Sequence, residues 1–190
     1  MWTKEFKNRA VVSLSDAKKI GTVSDVIFRP DSGDVAGFIL STGGLIPGLF
    51  DERRYLPIDA VRSIGQDAVT IPDQSVLART DNAGELKTMP SVGRLIGLSV
   101  VTEGGRLIGK VSDVYLDPET RHLMNLRVSS IAGGPLQGFS RGSQEDLVVR
   151  FSGDIRIGPD LVVVPDSAIS GARAPQREEP YDEEGWRRSA

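Results

Sequence analysis

The heptapeptide Ile20-Gly21-Thr22-Val23-Ser24-Asp25-Val26 returns as Ile108-Gly109-Lys110-Val111-Ser112-Asp113-Val114, and each copy ends in a proline-acid turn, Pro30-Asp31 and Pro118-Glu119. The two glycines stand 88 residues apart. That period is too long for a solenoid unit and suits a small domain. A chain of 190 residues with such a duplication is therefore expected to form two small domains rather than one. Each would have a modest core, so packing of one copy on the other, or on a second chain as a homo-oligomer, is an expected source of stability.

The correspondence continues in order along the chain. Gly133-Gly134-Pro135-Leu136-Gln137-Gly138-Phe139 answers Gly43-Gly44-Leu45-Ile46-Pro47-Gly48-Leu49 at an offset of 90, and the stretch from Ile157 to Asp166 answers Ile64 to Asp73 at an offset of 93. Short β-branched runs bounded by Gly, Pro and Asp read as strands: Ala10–Leu14, Val23–Phe28, Val35–Leu40, Tyr55–Val61 and Ala68–Ile71 in the first copy. In the second copy Leu98–Thr102, Val111–Leu116 and Leu123–Val128 read the same way. The first three strands of each copy are expected to form an antiparallel meander, and the whole to be a small barrel or sandwich.

Charge gives little direction. Lys and Arg total 23 against 26 Asp and Glu, spread evenly over the copies, so neither carries the positive excess of a phosphate-gripping protein. With no Cys, disulfides, thiolate metal sites and cysteine nucleophiles are excluded. The start lacks the apolar run of a signal peptide and no window approaches the ~20 apolar residues of a membrane span, so a soluble cytoplasmic protein is expected.

Several residues invite a functional reading. Asp25 and Asp113 sit inside otherwise apolar strands, either as buried acids for proton transfer or as acceptors that bond nearby backbone and fix a bulge. Each motif offers one carboxylate with no His or Lys common to both copies as its partner, and the single His122 matches Asp34 in the other copy. Acid pairs such as Asp31 with Asp34, Asp51-Glu52 and Glu145-Asp146 lack the spacing of a calcium loop, so no metal site is expected. The Gly-Gly loops lack the Gly-Lys-Ser/Thr ending of a phosphate cradle, and no cofactor is expected. Their large side chains, Leu45, Ile46, Leu49 and Phe50 with Leu136 and Phe139, either plug the barrels or anchor a partner.

The ordered set resembles the PRC-barrel family: Ile-Gly-x-Val-Ser-Asp-Val, a proline-acid turn, a hydrophobic strand, a Gly-Gly loop, then Tyr55-Leu56-Pro57-Ile58-Asp59-Ala60-Val61. The likeness covers Phe6 to Asp73 well and Leu95 to Asp166 less well, since Leu147 to Gly153 lacks the Pro and Asp of the first copy. It implies kinship with the cytoplasmic domain of the reaction-centre H subunit and the C-terminal domain of the ribosome maturation factor. In such proteins the barrel is an adaptor docked on a larger assembly. Fold follows from such a resemblance more firmly than function.

The expectation is thus an all-β chain of two tandem small PRC-like β-barrels packed as a pseudo-dimer: residues 1–74, a linker at 75–91, a more divergent barrel at 92–171 and a disordered tail at 172–190. Gly21, Asp25, Gly109 and Asp113 are expected to be structural, with no catalytic residue. Function is expected to be non-enzymatic docking on a protein assembly through loops and edge strands. The alternatives are a ribosome- or RNA-associated factor using Arg53, Arg54, Arg62, Arg127, Arg141 and Arg150, or a small-molecule-binding barrel.

Overall fold

The computed structural model describes residues 1–42, 52–79, 82–129 and 146–170. The first repeat runs through a single helical turn α1 (Thr3–Phe6), then β1 (Ala10–Ser13), β2 (Lys18–Phe28), β3 (Val35–Thr42) and β4 (Glu52–Pro57). It continues through a 3-10 turn (Ile58–Ala60), β5 (Ser63–Ile64), β6 (Ala68–Ile71), a second 3-10 turn (Gln74–Val76) and β7 (Ala78–Arg79). After a 3-10 turn at Gly84–Lys87 the second repeat follows the same course: α2 (Val92–Leu95), β8 (Ser99–Thr102), β9 (Leu107–Asp117), β10 (His122–Ser129), β11 (Leu147–Arg150), β12 (Arg156–Ile157), β13 (Leu161–Val164) and α3 (Ser167–Ser170).

Each repeat builds one sheet, ordered β5-β6-β1-β2-β3-β4-β7 and β11-β10-β9-β8-β13-β12. β1-β2-β3 and β8-β9-β10 are antiparallel meanders, while β1 pairs β6 and β8 pairs β13 in parallel. The all-β class and the tandem arrangement hold, but neither sheet closes into a barrel, because each ends in short strands that do not pair with one another. The other repeat covers the open sides instead. α1 packs on β9 of the second repeat, α2 packs on β2 of the first, and the Phe28 ring meets Phe151 edge-on at 6.0 Å between centroids.

The result is one apolar core shared by both copies, reaching from Phe6, Phe38 and Leu56 to Leu116, Leu126 and Val162. Alternation along β1 and β8 points Val11 and Val100 into that core, as a half-buried sheet requires. The segment Tyr55–Val61 is not one strand. Pairing stops at Gly37 opposite Pro57, and the next three residues form the 3-10 turn. Proline has no N–H to extend the ladder.

The repeated glycines are set by close approach. A Cβ on Gly21 would lie 2.5 Å from the Ser41 carbonyl oxygen, and one on Gly109 would collide with the Ser129 carbonyl oxygen and lie 2.9 Å from Val128 Cγ1. Ser41 and Ser129 are themselves repeat equivalents, so in both copies the glycine of one strand admits the carbonyl of its antiparallel partner, β3 or β10, at the same place.

Candidate functional site

The residues singled out in the sequence converge on the seam between the repeats. Asp25 lies at a register shift of β2 against β3, and Asp113 beside one of β9 against β10. Each carboxylate accepts a hydrogen bond from the next backbone N–H, Val26 and Val114, both at 2.8 Å. Each also reaches into the other repeat. Asp25 Oδ1 accepts from Gly93 N–H at 2.9 Å, inside α2, and Asp113 Oδ1 accepts from Thr3 Oγ1 at 2.8 Å and Lys4 N–H at 3.2 Å, inside α1.

This exchange explains why helices of a single turn persist. The first N–H groups of a helix have no partner within it, and a carboxylate there satisfies them and favours the positive end of the peptide dipoles. Here the cap comes from the opposite copy, so each repeat completes the other. Gly93 is the fitting residue where Asp25 arrives, since a Cβ there would lie 2.5 Å from Asp25 Oδ2. The two sites differ in one donor: Thr3 has a hydroxyl where the second repeat has Val92. Accordingly Asp113 is 2% exposed and Asp25 is half-buried.

A pseudo-twofold axis runs through the seam. Asp34 and His122, at equivalent positions, face each other in an isolated antiparallel bridge, flanked by Val35 N–H to Arg121 O and Leu123 N–H to Gly33 O, both 2.9 Å. His122 Nδ1 lies 3.1 Å from Asp34 Oδ1, while Ser32 Oγ donates to Asp34 Oδ2 at 2.6 Å. The serine hydroxyl first, and the imidazole second, hold the Asp34 carboxyl below the usual carboxylate value. Around the same axis Met1 and Trp2 run beside Tyr115 and Leu116, as Pro90 and Ser91 run beside Ile27 and Phe28.

Among the described residues six of the seven left-handed ones, all but Gly84, obey the same symmetry. Asn8, Ala17 and Arg121 have φ of 67°, 52° and 56°, and their equivalents Gly97, Gly105 and Gly33 have φ of 90°, 81° and 80°. Each turn therefore needs αL in both copies, with glycine supplied in only one. Arg121 uses its position: its guanidinium crosses the seam and donates to the carbonyls of Ile58 at 3.1 Å and Val61 at 3.0 Å. At the matching place Gly33 leaves room for the Phe151 ring, which a Cβ would approach at 2.8 Å.

One further cluster has no counterpart in the other copy. Arg127 stacks its guanidinium 3.7 Å above the Trp2 ring, Trp2 meets Tyr115 edge-on, and Arg127 Nε lies 3.8 Å from Asp146. The arginines considered for nucleic acid are divided between the sheets, with Arg53 and Arg54 on β4 and Arg127 and Arg150 on β10 and β11. Arg62 follows the 3-10 turn, and Arg141 lies outside the described residues. Leu45, Ile46, Leu49, Phe50, Leu136 and Phe139 also lie outside them, as do residues 172–190. Among the described residues no three His, Cys, Asp or Glu side chains converge as metal ligands, and no helix is long and apolar enough to cross a membrane.

Thr3, Trp2 and Arg121 were not conspicuous in the sequence. A signal for the axis was present: His122 and Asp34 are separated by 88 residues, the same spacing as the two glycines. Two residues that are equivalent in a duplicated chain and also complementary in charge are candidates for meeting on a twofold.

Comparison with known proteins matches each repeat separately. The sequence profile described as "PRC-barrel domain" matches residues 3–77 and again 89–169. The "Probable sporulation protein YlmC" of Bacillus subtilis (strain 168) is 29% identical over 69 residues, which is 35% of this chain and 85% of that protein. A single repeat here thus corresponds to most of that relative.

Proposed function

Because the chain belongs to the PRC-barrel domain family, matching it twice, we propose that it is a non-enzymatic adaptor that docks on a larger protein assembly in the cytoplasm through its loops and sheet edges. The observation that carries this reading is the axis. β3 and β10 both start there, at an antiparallel bridge, and so leave it in opposite directions. Each is eight residues long, about 26 Å at ~3.3 Å per residue. Beyond their last residues, Thr42 and Ser129, the sequence continues in each case into a Gly-Gly stretch with large apolar side chains.

Two like elements carried outward from one interlocked platform are suited to two contacts on one assembly, where the second contact gains from the proximity set by the first. The Asp pair supports the same reading, since both carboxylates are engaged in capping helices rather than facing a common cleft.

The test is affinity capture from native lysate with wild-type chain, Leu49→Ser/Phe50→Ser and Leu136→Ser/Phe139→Ser side by side, each checked for an unchanged melting temperature. Protein partners lost from either folded variant support docking through that stretch. Capture indifferent to both variants overturns it, and recovery of RNA alone, falling steeply with salt, replaces the adaptor with a nucleic-acid role.

A further inference from the structure

The duplication supplies an internal comparison for every surface, and one surface differs sharply between the copies. In the first repeat the Arg9 side chain lies over the Phe6 ring at 5.0 Å, donates to the Gly65 carbonyl at 2.6 Å and touches Met1 Sδ at 3.1 Å. The equivalent of Arg9 is Leu98: Val23 N–H bonds the Arg9 carbonyl as Val111 N–H bonds that of Leu98. The shorter side chain leaves a groove of about 350 Å³, lined by Pro30, Pro90, Arg94, Leu95, Leu98 and Ile157. Gly158, the equivalent of Gly65, lines it too.

The groove is not suited to a second guanidinium. Leu95 replaces the Phe6 ring, which removes the cation–π face, and Arg94 replaces Glu5, which exchanges an anion for a cation. Both changes favour an occupant that is apolar and acidic. Arg94 lines the groove, and Arg29, Lys87 and Arg156 adjoin lining residues in sequence; all four are exposed and form no ion pair among the described residues, against Asp31 and Asp160, which adjoin the lining likewise, and Asp34, whose carboxylate feels Arg29.

The same chain contains such a segment. Glu178-Glu179-Pro180-Tyr181-Asp182-Glu183-Glu184 has five acids, no base, and a Pro-Tyr pair at its centre. From Ser170, the last residue of α3, to Tyr181 is eleven residues, about 36 Å of extended chain at ~3.3 Å per residue. The two repeats share one core, and a body of about 150 residues has a radius of gyration near 15 Å, so that reach is comparable with its width.

We infer that the groove between α2 and the β12–β13 turn is the docking site of the chain's own acidic segment, Glu178 to Glu184. Pro180 and Tyr181 lie on its proline and leucine walls, and the acids face Arg94 and its neighbouring cations. A groove occupied in this way would be available to an outside segment of like chemistry only after displacing the internal one.

Backbone ¹⁵N relaxation on the full chain at low ionic strength tests this. Order parameters of residues 179–184 are expected near ~0.8 in the wild type and below ~0.6, the range of flexible chain, when Leu98→Arg refills the groove as Arg9 fills its own. Arg94→Glu, at an exposed position, and Glu183→Lys/Glu184→Lys, beyond the residues that match the repeat, must release the segment as well. They decide the matter if Leu98→Arg does not fold. Values below ~0.6 in the wild type, or values unchanged in Arg94→Glu and in the lysine variant, overturn the proposal. Ordering that rises with protein concentration also overturns it, because the occupant is then the tail of a second copy.

Discussion

Replacing Asp113 by alanine tests the interlock most directly. The carboxylate is 2% exposed and accepts three hydrogen bonds, two of them from the other repeat. A hydrogen bond to a charged group contributes about 1.5–3 kcal/mol, and losing a helix N-cap costs about 0.5–2 kcal/mol. These contributions overlap, and water entering the space left by the side chain recovers part of them. A net loss of about 3–4 kcal/mol is expected. Asp25→Ala removes two N–H contacts at a half-buried site, with no hydroxyl donor, and is expected to cost about 1–2 kcal/mol. Urea unfolding of the full chain, with the m value checked for constancy, reads both numbers. A double-mutant cycle of Asp113→Ala with Thr3→Val should show a coupling of about 1 kcal/mol or more across the 110 residues that separate them. Equal costs for the two aspartates, or a coupling near zero, would refute the reasoning, as would two separate unfolding transitions in the wild type.

Gly109→Ala should destabilise by about 2 kcal/mol or more in the same assay, because its Cβ meets the Ser129 backbone, which cannot rotate away. Ala17→Gly should be neutral or stabilising by up to about 1 kcal/mol: it relieves a left-handed conformation costing about 1–2 kcal/mol and adds about 0.4–1 kcal/mol of unfolded-chain entropy. Hydroxyl donors hold Asp16, Asp34, Asp73 and Asp117 below the usual carboxylate value, from Ser13, Ser32, Ser75 and Thr120 respectively. Their contribution is therefore present above about pH 4 and lost as the pH falls through the lowered folded values, so the urea midpoint should drop on that side, and less steeply in Thr120→Val.

Most of the strand pattern was legible because the alternation of β1, β6 and β8 and the Gly and Pro turns are local properties. Tyr55–Val61 reads in sequence as one short apolar strand, yet the ladder ends at Pro57, which has no N–H to extend it. The closure expected of each sheet failed for a different reason: the apolar faces are covered by the other copy, which a reading of one copy at a time does not reveal. The same holds for the aspartates. That each accepts from the adjacent backbone follows from its place in a bulged strand, whereas the donors Thr3, Lys4 and Gly93 are 110, 109 and 68 residues away. No local pattern names them.

A duplicated chain separates what a fold requires from what one copy has acquired. Where the copies agree, the residue answers a constraint both share: Gly21 and Gly109 admit a carbonyl of the paired strand, and Asp25 and Asp113 cap the opposite helix. Where they differ, the constraint has been met in two ways, and the difference shows what the position gained. Arg121 accepts a left-handed backbone that Gly33 adopts freely, a cost of about 1–2 kcal/mol. Its two carbonyl contacts across the seam are each charge-assisted and offset that cost. The exchange of Arg9 for Leu98 does the opposite. It gives up a guanidinium bonded to the Gly65 carbonyl, and although Leu98 packs against the shared core, the groove beside it stays open. A leucine that packs on the core but has no polar head to reach across the groove leaves an open surface with apolar walls, which is why the groove at Leu98, and not its twin at Arg9, carries the docking proposal.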